Sequence, residues 1–130
     1  MKILQPENWP KPKGYSNGVA AKGTHIFLAG MVGWNEHEKF ESIDFVAQAR
    51  QALKNILTVL KEGGADSSHI TRMTWYFVDM EEYRASLKQL GATYTEVLGK
   101  VYPAMTGIQV AGLVEKDARL EIEGTAIIPD

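Results

Sequence analysis

From Asp44 to Glu62 the apolar residues Val46, Ala49, Leu53, Ile56 and Leu60 recur at three- and four-residue steps, with Lys, Arg and Gln between them. At 3.6 residues per turn this spacing makes one apolar stripe on a helix, and the following Gly63-Gly64 step supplies a C-cap. A second stripe of the same period, Tyr83, Leu87, Leu90, Tyr94 and Val97, predicts another helix over roughly Met80 to Leu98. Asp79 and Glu82 open it in the form of a capping box. A helix with one stripe covers one surface. In a 130-residue chain whose other apolar patterns are all strand-like, two such helices leave few architectures open.

The strand patterns fill the remainder. Three of the five prolines lie in the first twelve residues, which predicts an extended arm rather than the interior of an element. Tyr15 to Ala20 and Thr24 to Ala29 read as the two strands of a hairpin turned at Gly23, and Gly30 to Ser42 as a loop. Thr71 to Val78 alternates, with Met73, Trp75 and Phe77 on one face and Arg72, Thr74 and Tyr76 on the other. Met105 to Leu113 and Ala118 to Ile128 form two more strands, joined by the charged turn Val114 to Asp117. The predicted order is strand, strand, helix, strand, helix, strand, strand. Such a chain makes an α+β fold in which the helices pack on one face of a mixed sheet of four to six strands. The other face must meet water or another subunit.

Composition narrows the chemistry. The length and the 45% of hydrophobic residues predict one domain over residues 1–130 with a genuine core. There is no cysteine, so no thiolate nucleophile, disulfide framework or cysteine-held metal is available, and a reducing cytoplasm is the expected location. The first fourteen residues lack the apolar run of a signal peptide, and no segment has the apolar length of a membrane span. A formal charge of -2 without a basic run gives no electrostatic footprint for nucleic acid. His25, His37 and His69 are dispersed, no glycine loop has phosphate-cradling spacing, and no serine sits in a glycine-flanked elbow. The expectation is therefore neither cofactor nor metal.

Polar residues that could line a site remain. Glu121 and Glu123 share one face of the last strand, either as a solvated edge or with one of them holding a water and passing a proton. Tyr15, Asn17, Arg72, Tyr76 and Tyr94 are further groups able to line a concavity.

Taken in order, "PKGYSNGV", "THIFLAGMVG", "QARQALKNILTVLKEGGAD", "ITRMTWYFVDMEEY" and "YPAMTGIQVAGLVEKDARLEIEGTAI" resemble the Rid family, the YjgF-type reactive intermediate deaminases, from about Gly14 to Ile127. The resemblance implies a chorismate-mutase-like α+β domain assembled as a homotrimer, with a small-molecule ligand in a pocket at each subunit boundary. In active members an arginine after the Pro-Ala pair grips the substrate carboxylate, and a glutamate in the last strand helps place the water that hydrolyses an enamine or imine. Carried onto this chain, the glutamate is Glu121 and the tyrosine of the N-terminal motif is Tyr15. The arginine position holds Met105. The family's Ser-Gly-Gln step reads Ala29-Gly30-Met31, and the asparagine ahead of the helix-two tyrosine reads Gly91 ahead of Tyr94. The expected site therefore has Glu121 as catalytic carboxylate and Tyr15, Arg72, Tyr76, Gly91, Tyr94 and Met105 as substrate-binding residues. Three functions fit: deaminase chemistry with an altered pocket, a non-catalytic homotrimer binding a small ligand or a protein, or an enzyme of 2-aminomuconate deaminase type.

Overall fold

The computed structural model describes residues 1–130. Its strands are β1 (Lys2–Leu4), β2 (Gly18–Ala20), β3 (Gly23–Val32), β4 (Ile70–Phe77), β5 (Ala104–Gln109) and β6 (Leu120–Pro129). The helices are α1 (Phe45–Glu62), α2 (Met80–Ala85) and α3 (Leu87–Leu98). A four-stranded mixed sheet runs in the order β3-β6-β4-β5, with the helices packed on one face, as the α+β reading expects.

The first helix follows its stripe. Asp44 caps it by accepting from the Ala47 amide, and Ala49, Leu53, Ile56 and Leu60 lose all contact with water. At its C-terminus Gly64 takes φ +76° while its amide reaches Lys61 and the Ala65 amide reaches Leu60, the two bonds of a Schellman stop. Two polar residues on α1 have a different task. Gln48, 1% exposed, donates to the carbonyls of Ser42 and Asp117 and accepts from the Arg119 amide, tying two long loops to the helix. Asn55 donates to the carbonyls of Val32 and Trp34, fixing the chain where it leaves β3. The remaining core comes from Met73, Trp75 and Phe77 on β4, Leu120 and Ile122 on β6, and Leu90, Tyr94 and Leu98 on α3.

Strand pairing departs from expectation at both ends. The predicted hairpin does not form: β2 pairs antiparallel with β1, and β3 pairs antiparallel with β6. Residues 2–4 are thus strand rather than free arm, because β2 offers them a ladder before the first proline interrupts it. Gly23 starts β3 hard against the end of β6, where a Cβ would lie 1.9 Å from the Ile128 carbonyl oxygen. Nor do the last two strands form a hairpin. β4 lies between them, parallel to β5 and antiparallel to β6, because the α2-α3 crossover carries the chain back to enter β5 in the direction of β4. β5 also ends at Gln109 instead of reaching Leu113.

The second helix is two. Ser86, at φ -105° and ψ 5°, separates α2 from α3, so that Tyr83 stacks on Phe77 at 4.2 Å while Leu90, Tyr94 and Leu98 reach the core. Only half of the capping box is present. Asp79 accepts from the Glu81 and Glu82 amides, but the Glu82 carboxylate turns to Arg119, whose Nη2 and Nε approach it at 2.7 and 3.1 Å.

Candidate functional site

Residues 13–17 run along the outer edge of β5. Ser16 bridges to Ala104 in parallel sense, its amide donating to the Pro103 carbonyl at 3.0 Å and its hydroxyl to the Tyr102 carbonyl. This brings Tyr15, 42% exposed, beside Met105 across 90 positions of sequence. The turn into β5 is held from below, since the Tyr94 hydroxyl donates to the Val101 carbonyl at 2.7 Å. Burial, with a smaller contribution from Tyr102, pushes the Tyr94 phenol far above its ordinary range. Tyr94 is therefore a fixed donor, and its hydroxyl is engaged by the fold rather than offered to a ligand.

Two clefts meet at Met105, each of about 500 Å³. One lies on the helix side, between Leu90, Gly91 and Tyr94 of α3 and Trp75 and Phe77 of β4. The other lies on the uncovered side and is more polar, with Ser16, Asn17, Thr71, Arg72 and Thr125 around it. Tyr15, Met105 and Thr106 line both. Arg72 makes no ion pair or side-chain hydrogen bond, so the second cleft holds an uncommitted cation.

Glu121 is elsewhere. It projects from the uncovered face of β6, opposite Tyr76 in the ladder, and lines neither cleft. Gly30 makes room for it, because a Cβ there would lie 2.0 Å from Glu121 Oε2. The Tyr76 hydroxyl donates to Glu123, two residues along, and that bond is the main cause holding the Tyr76 phenol above its ordinary range. Desolvation and the Glu123 and Glu121 charges add to it, while Arg72 opposes.

Of the residues singled out from sequence, the structure thus brings Tyr15, Arg72 and Met105 to one cleft and Tyr15, Gly91, Tyr94 and Met105 to the other. Tyr76 and Glu121 form a separate patch on the open sheet face. Within a single copy, strand alternation points Met105 toward the helices and Glu121 away from them. Sequence reasoning missed Trp75 and Gly107 as lining residues and Gly30 as the neighbour of Glu121. Trp75 reads as plain core from its period, and the unusually bare Ala29-Gly30 step was the one signal for Gly30. No group of three or more His, Asp or Glu side chains is placed to hold a metal.

A mixed sheet with its helices packed on one face places the chain in the α+β class. The chain belongs to the Rid/YjgF family: the family model described as endoribonuclease L-PSP matches residues 7–128. A RutC family protein of Pyrococcus horikoshii is 31% identical over 95% of both chains. The 2-iminobutanoate/2-iminopropanoate deaminase of Escherichia coli is 30% identical over 97% of both. Among solved structures, the Rid-family protein YyfB from Yersinia pestis superposes with a TM-score of 0.85 at 28% identity over 98% of both chains. Escherichia coli TdcF, solved with bound serine, gives 0.71 at 27% identity over 98% of this chain and 99% of that one.

Proposed function

We propose that this protein is a homotrimeric enamine or imine deaminase whose site closes only between copies, and whose Met105 turns it away from short 2-imino acids. The observation that carries the reading is the separation of Met105 and Glu121 onto opposite faces of one sheet. A small molecule touching both needs the uncovered face of a second copy, and that face already presents apolar groups: Phe27 is 77% exposed and Ile108 47% exposed. Closed cyclic assembly buries such a surface.

The chemistry needs only water and a carboxylate. With the imine nitrogen protonated, Glu121 accepts a proton from water as the water oxygen attacks the iminium carbon, giving a neutral carbinolamine. Glu121 then returns that proton to nitrogen, the C–N bond breaks as the hydroxyl oxygen forms C=O, and the hydroxyl proton leaves with the ammonia as ammonium. An arginine fork on a substrate carboxylate would add two charge-assisted bonds of roughly 1.5 to 3 kcal/mol each, and the Met105 thioether can make neither. Its absence lowers the preference for 2-imino acids by on the order of ten- to a hundredfold or more. Arg72 offers the remaining cation on the other side of Met105, where it supplies any residual affinity for anions.

Ammonia release is measured from 2-iminopropanoate and from a neutral aryl ketimine, each generated in situ. The neutral imine turns over faster, and Met105→Arg raises the rate with 2-iminopropanoate while Arg72→Gln lowers it. Efficiency on 2-iminopropanoate equal to that of the Escherichia coli deaminase refutes the altered pocket. Ammonia release from neither substrate leaves a ligand-binding trimer, a reading that the missing cation at Met105 itself favours.

A further inference from the structure

The cleft on the uncovered side has one charged lining residue, Arg72, and no carboxylate in its walls. Arg72 is exposed near the start of β4, and alternation places it on the uncovered face with Thr74 and Tyr76. Its ladder partners share that face: Thr125 of β6 on one side and, on the other, Ala104 of β5, which rises no higher than a methyl group. Thr106, opposite Thr74, is the next residue of β5 on the same face. What keeps Arg72 unpaired lies close by. Glu123 stands opposite Thr74, which makes it a diagonal neighbour of Arg72, within reach of two long side chains. The Tyr76 hydroxyl takes that carboxylate instead, and Arg72 is left without an ion pair.

We propose that this cleft binds a monocarboxylate through the Arg72 guanidinium, and that Tyr76 keeps the site open by holding Glu123 away from that cation. A guanidinium presents paired N–H donors in the geometry of a carboxylate. One cation balances one negative charge, whereas a phosphate dianion would stay under-neutralised beside Arg72 alone. Thr106 and Thr125 add neutral donors, and Val19, Ala104 and Met105 give an apolar body a wall to rest on. At about 500 Å³ the cleft has room for a small organic acid. When the uncovered face closes against a second copy, Arg72 is drawn out of water and needs a counter-charge that its own chain withholds. The proposal rests on the reading of Arg72 as the remaining cation and extends it, placing the anion in this cleft and making its binding independent of turnover.

Butanoate, butanamide and inorganic phosphate are titrated into the full-length protein in its native assembly with no imine present. Binding is followed in ¹H–¹⁵N correlation spectra by the Arg72 Nε–H and Thr106 amide signals, and by the Thr106 amide alone where Arg72 is replaced. Butanoate should saturate and shift both signals. Butanamide, with the same shape and no charge, should bind on the order of tenfold or more weakly, and phosphate no more tightly than butanoate. Arg72→Gln should weaken butanoate by a similar factor while fold and assembly mass are kept. Tyr76→Phe should weaken it roughly three- to tenfold, because Glu123 is freed to pair with Arg72, and adding Glu123→Gln should restore the affinity, a rescue that a merely structural tyrosine would not give. The proposal is overturned if butanoate fails to saturate, if butanamide binds equally well, or if Tyr76→Phe leaves the affinity unchanged. Absence of butanoate binding together with dissociation of the Arg72→Gln assembly would overturn it in favour of a second copy's carboxylate on Arg72. Butanoate binding without ammonia release from any imine counts against the deaminase reading alone, and the reverse result against this site alone.

Discussion

Gly30→Ala tests the role of Glu121 without touching it. The new methyl group would start 2.0 Å from Glu121 Oε2, 2.7 Å from Cδ and 3.0 Å from Cγ. To reach the 3.4 Å of ordinary contact, the carboxylate oxygen must retreat by about 1.4 Å. The obstacle is the far end of a flexible side chain, and Gly30 has no positive φ, so the backbone accommodates alanine without strain. A displacement of about 1 Å at a reacting group costs on the order of a hundredfold in rate, close to the effect of removing one acid-base group altogether. We therefore expect Gly30→Ala to lower turnover by on the order of a hundredfold. Assembly should be unchanged and thermal stability should fall within the range of an ordinary surface substitution. Glu121→Gln should cost about as much, and the double variant little more than either alone, because both remove the same group. Steady-state ammonia release with the best imine found, alongside light scattering and thermal melts, makes the comparison. Wild-type turnover in a folded, assembled Gly30→Ala protein would refute the assignment of Glu121 to the reacting water.

Light scattering should return three times the 14.4 kDa chain mass, and Phe27→Asp should dissociate the assembly by placing a charge on the face it buries; a monomeric wild type at micromolar concentration contradicts both. In an alkaline spectrophotometric titration, Tyr76 and Tyr94 should ionise above the ordinary 10.0. Because both folded-state values are raised, the stability they contribute is complete below pH 10 and is lost as pH climbs through the raised values, so Tyr76→Phe should flatten part of that alkaline decline. Gln48→Leu should destabilise by about 3 kcal/mol or more in urea unfolding, since it orphans the carbonyls of Ser42 and Asp117 and the Arg119 amide together; a loss below about 1 kcal/mol would show that water replaces it.

The elements that sequence alone determined are those whose pattern is local. The α1 stripe, its glycine stop and the two faces of β4 depend on side chains three, four or two positions apart, and each stands where its period puts it. The single covered sheet face follows from the same counting, because helices with one stripe cannot serve two surfaces. Tertiary structure decided what pairs with what. An extended pattern identifies a strand but carries no address for its partner, so β2 joined β1, β3 joined β6, and β4 separated β5 from β6. The same limit governs the site. Tyr15 meets Met105 only because Ser16 bridges to Ala104, and Met105 and Glu121 part company only because their strands present them to opposite faces. Trp75 looks like core by period and is core, yet its place in a cleft wall opposite Gly107 exists only through a ladder formed between distant segments.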